Sequence, residues 1–167
     1  MSLWLAIPVL AVLAVLQTSM VPHIAVGAAR PGLVMTWVVC WAVVRGRGEA
    51  MPWAIFGGLL LDLLSQAPPG AHLLALTAVT YVADLGHRVM QGSTALFAAA
   101  AVFAASLVYG IILVLVLKAT GHPIDFVETT ILKLLPGALY NLAVLVPIFA
   151  FQRALDRRFP VSVLPEW

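Results

Sequence analysis

From Ala95 to Leu117 the chain runs without a single charged side chain. A helix rises about 1.5 Å per residue, so that stretch alone covers the roughly 30 Å of hydrocarbon in a bilayer. Shorter apolar runs cover 3–21, 24–44, 51–65, 71–86 and 131–151. Composition agrees: 63% of the residues are hydrophobic and 10% charged, with a mean hydropathy of +1.07. A soluble domain carries about 25% charge, and a net charge of +2 is too sparse to solvate this much apolar surface. A soluble enzyme, a disordered regulator and a nucleic-acid-binding domain, which needs a dense basic face, are excluded. The chain reads as an all-α integral membrane protein, a bundle of about six transmembrane helices. It forms one membrane domain over 1–167, ending in a short cytoplasmic tail at 152–167.

The runs differ in quality. The first has no Lys or Arg before it and no clear cleavage site after it, so it reads as a retained span. The second is broken by Arg30-Pro31-Gly32. Either 24–44 crosses as one helix with Arg30 snorkelling outward, or 24–32 lies at the interface. Arg45-Gly46-Arg47-Gly48-Glu49 reads as its end, and Ser65 to Gly70, with Pro68-Pro69-Gly70, reads as a tight turn. Trp4, Trp37, Trp41, Trp53 and Trp167 fall mostly near the proposed ends, as an aromatic belt requires. Cys40 is the lone cysteine and reads as an inert thiol.

Loop charge sets the orientation. With six spans, one side holds Arg45, Arg47, Arg88, Arg153, Arg157 and Arg158, and the other holds Arg30, Lys118 and Lys133. The positive-inside rule then puts both termini in the cytoplasm and Asp125 and Glu128 outside.

Polar residues inside the runs carry the most information. A carboxylate at mid-membrane costs about 2.5–3.5 kcal/mol on insertion scales, so Asp62 must face protein, water or a partner, or be protonated. Gly58, Asp62 and Ser65 share one helix face, suited to close packing and hydrogen bonding. Two readings stay open: an ion, proton or subunit-contact site, and a residue at the span end that caps the 66–70 turn or reaches headgroup water. On the next run Asp84 and Arg88 stand four apart as a boundary ion pair. His72 opens that run within reach of Asp62 or Ser65. On the last run Lys133, Gly137 and Asn141 align beside Tyr140. Lys133 either reaches inward to a carboxylate such as Asp62 or snorkels outward. Ala101, Ala105, Ser106 and Gly110 suit close helix packing.

The chain carries no GxxxxGK[ST], HExxH, CxxC or GxSxG motif. His23, His72, His87 and His122 are scattered over different connections, so no metal or cofactor is expected. No enzyme is expected either. Two classes remain: a membrane subunit that works by binding proteins, and a small-molecule carrier or its binding subunit.

The stretch GGLLLDLLSQAPPGAHLLALTAVTYV, from Gly57 onward, resembles the rod shape-determining protein family MreD of bacteria. The matching positions are Gly58, Asp62, Leu63, Ser65, Gly70, Leu74, Ala75, Leu76 and Tyr81. Leu16-Gln17-Thr18-Ser19, Pro22 and Arg30-Pro31 also look alike, as do the chain length and the basic tail. The resemblance implies an inner-membrane, non-catalytic scaffold or regulator of side-wall peptidoglycan synthesis. It implies an MreC-like partner, a SEDS glycosyltransferase with its class B penicillin-binding protein, and indirectly the MreB filament, besides membrane lipid. It also implies a fold like that of the membrane substrate-binding subunits of energy-coupling-factor transporters. The competing expectation is a vitamin-type substrate-binding subunit with an outward cavity lined by Asp62, His72, Lys133 and Tyr140. Under the scaffold reading, Gly58, Asp62, Ser65, Gly70 and Tyr81 are helix-packing or partner contacts, and His72, Lys133, Tyr140 and Asn141 are inner polar contacts.

Overall fold

The computed structural model describes residues 3–19, 31–89, 95–121, 129 and 133–158, without the side chains of 3–6, 86–89, 95, 97 and 155–158. Within them run α1 (Leu3–Ser19), α2 (Leu33–Arg45), α3 (Arg47–Leu64), α4 (Ala71–Val89), α5 (Ala95–Ala119) and α6 (Leu135–Arg158). Two stretches, Ala98–Ala119 and Leu135–Ala154, are long and apolar enough to cross a membrane. The architecture is that of a helical membrane protein.

The centre of the bundle is the shortest of the six helices among the described residues. α2 has 13 residues, ten of them buried from Val34 to Val43, and it packs against each of the other five helices. At about 1.5 Å per residue it is about 20 Å long, well short of the hydrocarbon thickness. A helix apolar on every face is either immersed in lipid or surrounded by protein. Much of α5 is left uncovered by the rest of the bundle, whereas α2 is surrounded by protein.

Several boundaries depart from the sequence reading. α2 begins at Leu33, with Pro31 and Gly32 outside any helix, so 24–44 is not one continuous helix; residues 24–30 lie outside the described residues. Residues 47–49 are not a loop but the first turn of α3. Gly46 alone breaks the chain there, at φ +79°, a left-handed conformation that costs glycine little. An Arg45–Glu49 ion pair of 3.2 Å spans the break. At the other end α6 runs on through 152–158, where a tail was expected from 152. Burial holds it in place: Gln152 is fully buried and its Nε2 donates to the Trp37 carbonyl at 2.9 Å. Arg153 lies 5.0 Å above the Phe149 ring.

The tryptophans are the clearest correction. Trp37, Trp41 and Trp53 are 4%, 0% and 4% exposed, so they form a core and not an interfacial belt. Trp37 and Trp41 stack with centroids 6.4 Å apart, and Trp53 closes on Trp41 at 5.2 Å. Phe151 of α6 meets Trp37 at 6.0 Å. The indole N–H groups of Trp37 and Trp41 have no hydrogen-bond partner among the described residues, so the cluster is held by aromatic area and ring geometry. Trp4 and Trp167 have no described side chain.

Candidate functional site

Two groups of polar residues stand where α2 and α4 begin. The first N–H groups of a helix have no partner within it, and in hydrocarbon water does not supply one. Both helices take their partners from other helices.

At α4 the partner is Asp62, on the last turn of α3. Gly70 N–H and Leu73 N–H donate to its Oδ2 at 3.0 and 3.2 Å, and His72 N–H donates to Oδ1 at 2.9 Å. Three charge-assisted bonds, aided by the positive end of the α4 dipole, account for a carboxylate in this position. The geometry is that of the capping reading. Gly70 supports it at φ +89°, which lets the turn deliver its N–H to Asp62. Ser65 Oγ accepts Ala67 N–H at 3.3 Å inside the same turn. Gly58 sets the distance between α3 and α4, because a Cβ there would lie 2.5 Å from Leu73 Cα. The face shared by Gly58, Asp62 and Ser65 is thus turned to α4 of the same chain.

At α2 two amides serve. Val34 N–H donates to Gln17 Oε1 of α1 at 2.9 Å, and Gly32 N–H donates to Asn141 Oδ1 of α6 at 2.7 Å. The Asn141 Nδ2 then donates to Ser106 Oγ of α5 at 3.0 Å, and the Ser106 hydroxyl donates to the Val102 carbonyl at 2.6 Å. Asn141 is 5% exposed, and both ends of its amide have a partner. Gly110 lets the start of α6 approach α5, since a Cβ on it would meet the Leu134 side chain at 2.5 Å.

Because α2 stops short, space remains beside its start. One cavity, of about 590 Å³, lies among Gln17, Gly32, Ser65, His72, Tyr109 and neighbouring leucines. A smaller one, of about 200 Å³, has Gly32, Ser106, Tyr109, Lys133 and Asn141 in its wall. Gly32 and Tyr109 border both. His72 Nδ1 sits 2.6 Å from the Tyr109 hydroxyl, tying α4 to α5.

The residues singled out in the sequence therefore part into groups. His72 meets Asp62 through its backbone N–H, while its ring turns to Tyr109. Lys133 is exposed and borders the smaller cavity, and Asp62 accepts backbone N–H groups instead of an ammonium. Tyr140 is half-buried on α6, and neither it nor Asp62 lines either cavity. Tyr81 is 52% exposed near the opposite end of α4, with the Arg47 guanidinium 4.7 Å from its ring centroid. Asp84 is buried and accepts Arg47 N–H at 3.0 Å, which caps the start of α3. The Arg88 side chain lies outside the described residues, as do Arg30, Asp125 and Glu128. Gln17 and Tyr109 went unnoticed as site residues. A polar group inside an apolar run is subject to the intolerance that drew attention to Asp62, and both could have been found that way.

The family model described as rod shape-determining protein MreD matches residues 1–158 of the 167. The chain belongs to the MreD family. With that membership comes a role in rod shape determination and a place in the bacterial membrane. The family is one of structural, shape-determining proteins. Neither a curated protein nor a solved structure matches the chain significantly.

Proposed function

We propose that this chain is a non-catalytic membrane scaffold of the cell-elongation machinery. It supports side-wall peptidoglycan synthesis by binding an MreC-like partner, and through it a SEDS glycosyltransferase, a class B penicillin-binding protein and, indirectly, the MreB filament. The family match over nearly the whole chain carries the reading. Two features support it. The polar side chains of Asp62, Asn141 and Gln17 are engaged in holding helix starts, the work of a rigid part. The described connections are short, Gly46 between α2 and α3 and residues 65–70 between α3 and α4, so recognition would fall to helix faces. Large apolar side chains stand on those faces, Leu63, Leu85, Leu96 and Val146 among them, at 65–82% exposure. Six crossings with both termini in the cytoplasm complete the proposal, with Arg45, Arg47 and Arg153 on the inner side.

Depletion in a rod-shaped host tests it: rods become spheres, and the protein co-purifies from mild detergent with an MreC-like partner. Unchanged rods after complete depletion contradict the reading.

A further inference from the structure

The larger cavity offers more than a gap left by a short helix. Its volume, about 590 Å³, lies within the range of small-molecule sites. Three of its lining side chains are fixed at one end by the fold and uncommitted at the other among the described residues. Gln17 uses Oε1 on Val34 N–H and keeps its Nε2 group. Ser65 accepts Ala67 N–H and keeps its own hydroxyl proton. His72 uses Nδ1 on the Tyr109 hydroxyl and keeps Nε2. Groups held in this way need little further ordering when a ligand arrives.

The character of the wall selects the ligand. Leu61, Leu64 and Leu113 supply apolar surface, and no Lys, Arg, Asp or Glu is among the described lining residues. Asp62, next to Leu61, has both oxygens committed to α4. A charged ligand would enter without a counter-charge, which is strongly unfavourable away from water. The Gln17 amide and the Ser65 hydroxyl present N–H and O–H donors, so the complementary groups are acceptors. We propose that this cavity binds an uncharged amphipathic molecule. Its ester, amide or ether oxygens meet Gln17, Ser65 and His72, and its apolar part lies against Leu61, Leu64 and Leu113. Such a molecule comes either from the bilayer, as a neutral glycerolipid, or from solution, as a neutral metabolite. The inference concerns the cavity alone and stands whether or not the scaffold reading holds.

Native mass spectrometry of the full chain, released from phosphatidylcholine nanodiscs doped with dioleoylglycerol, separates the outcomes. Retention of dioleoylglycerol at one copy per chain supports the bilayer source. A stoichiometric neutral metabolite carried from the cell, and not displaced by dioleoylglycerol, supports the soluble source. In either case Leu113→Trp, which fills the cavity and leaves every hydrogen bond above intact, abolishes retention, and His72→Phe lowers it about tenfold. Leu64→Trp, at a position 46% exposed and so easier to accommodate, serves the same purpose should Leu113→Trp not yield folded protein. Retention unchanged in the tryptophan variants overturns the proposal. So does a wild-type chain that carries no neutral molecule of either kind.

Discussion

The two ends of α2 solve different problems with different residues. From its middle to its C-terminal end it contributes Trp37 and Trp41 to a cluster completed by Trp53 of α3 and Phe151 of α6, and the chain leaves it through one glycine into α3. Its N-terminal end stops inside the bundle, held by Gln17 and Asn141 with cavities beside it. The first end gains stability from packed area even though two indole N–H groups have no partner among the described residues. At the second end, the side chains of Gln17 and Asn141 supply acceptors to the backbone N–H groups of the helix start, while the buried Thr36 hydroxyl has no partner among the described residues. Gln17 and Asn141 thus mark where α2 begins within protein, and the α3–α4 turn repeats the pattern with Asp62.

Substitutions at the two ends can break or sharpen that contrast. The largest loss is expected for Trp41→Ala, which opens a void in the fully buried aromatic cluster and lowers stability by about 3–5 kcal/mol. Thermal unfolding in detergent measures it. A loss below that of the helix-start variants would reverse the ranking of the two ends. Next comes Asp62→Ala, which strands three backbone N–H groups at a cost of about 2–4 kcal/mol, while Asp62→Asn keeps an acceptor and loses roughly half as much. Equal losses in the two variants would show that the charge, and not the hydrogen bonding, matters.

Asn141→Leu keeps the branched shape and leaves Gly32 N–H and the Ser106 hydroxyl without their amide partner, for about 1–2 kcal/mol. Its effect should appear as lower recovery of folded protein, with the tryptophan fluorescence of the other end unchanged. Ser65→Ala, removing one 3.3 Å bond in a half-exposed turn, should stay within about 0.5 kcal/mol. A larger shift would mean that Ser65 has a role outside the turn.

Much of this was legible in the sequence, and the limits have physical causes. Helix existence followed from apolar runs long enough to cross hydrocarbon. The position of Asp62 just before Pro68-Pro69-Gly70 made a cap one of the open readings, but nothing in the sequence chose it over an ion, proton or subunit-contact site. The centrality of α2 did not follow, because lipid and protein interior select the same apolar side chains and periodicity then carries no direction. The tryptophans misled for a related reason: an indole near a run's end suits a headgroup, but three that meet across α2 and α3 suit a core equally well. Asn141 gave away its position on the inward face of α6, but not that Gly32 and Ser106 would be its partners. Those contacts join residues 109 and 35 positions apart, and nothing local encodes them.

The central claim is that Asp62 holds the start of α4 from the end of α3. Hydrogen–deuterium exchange over residues 70–73, in wild type and in Asp62→Ala, tests it most directly. The account predicts slow exchange of the Gly70, His72 and Leu73 amides in wild type and fast exchange in the variant, with α2 unchanged. Equal protection of these amides in both proteins would contradict it.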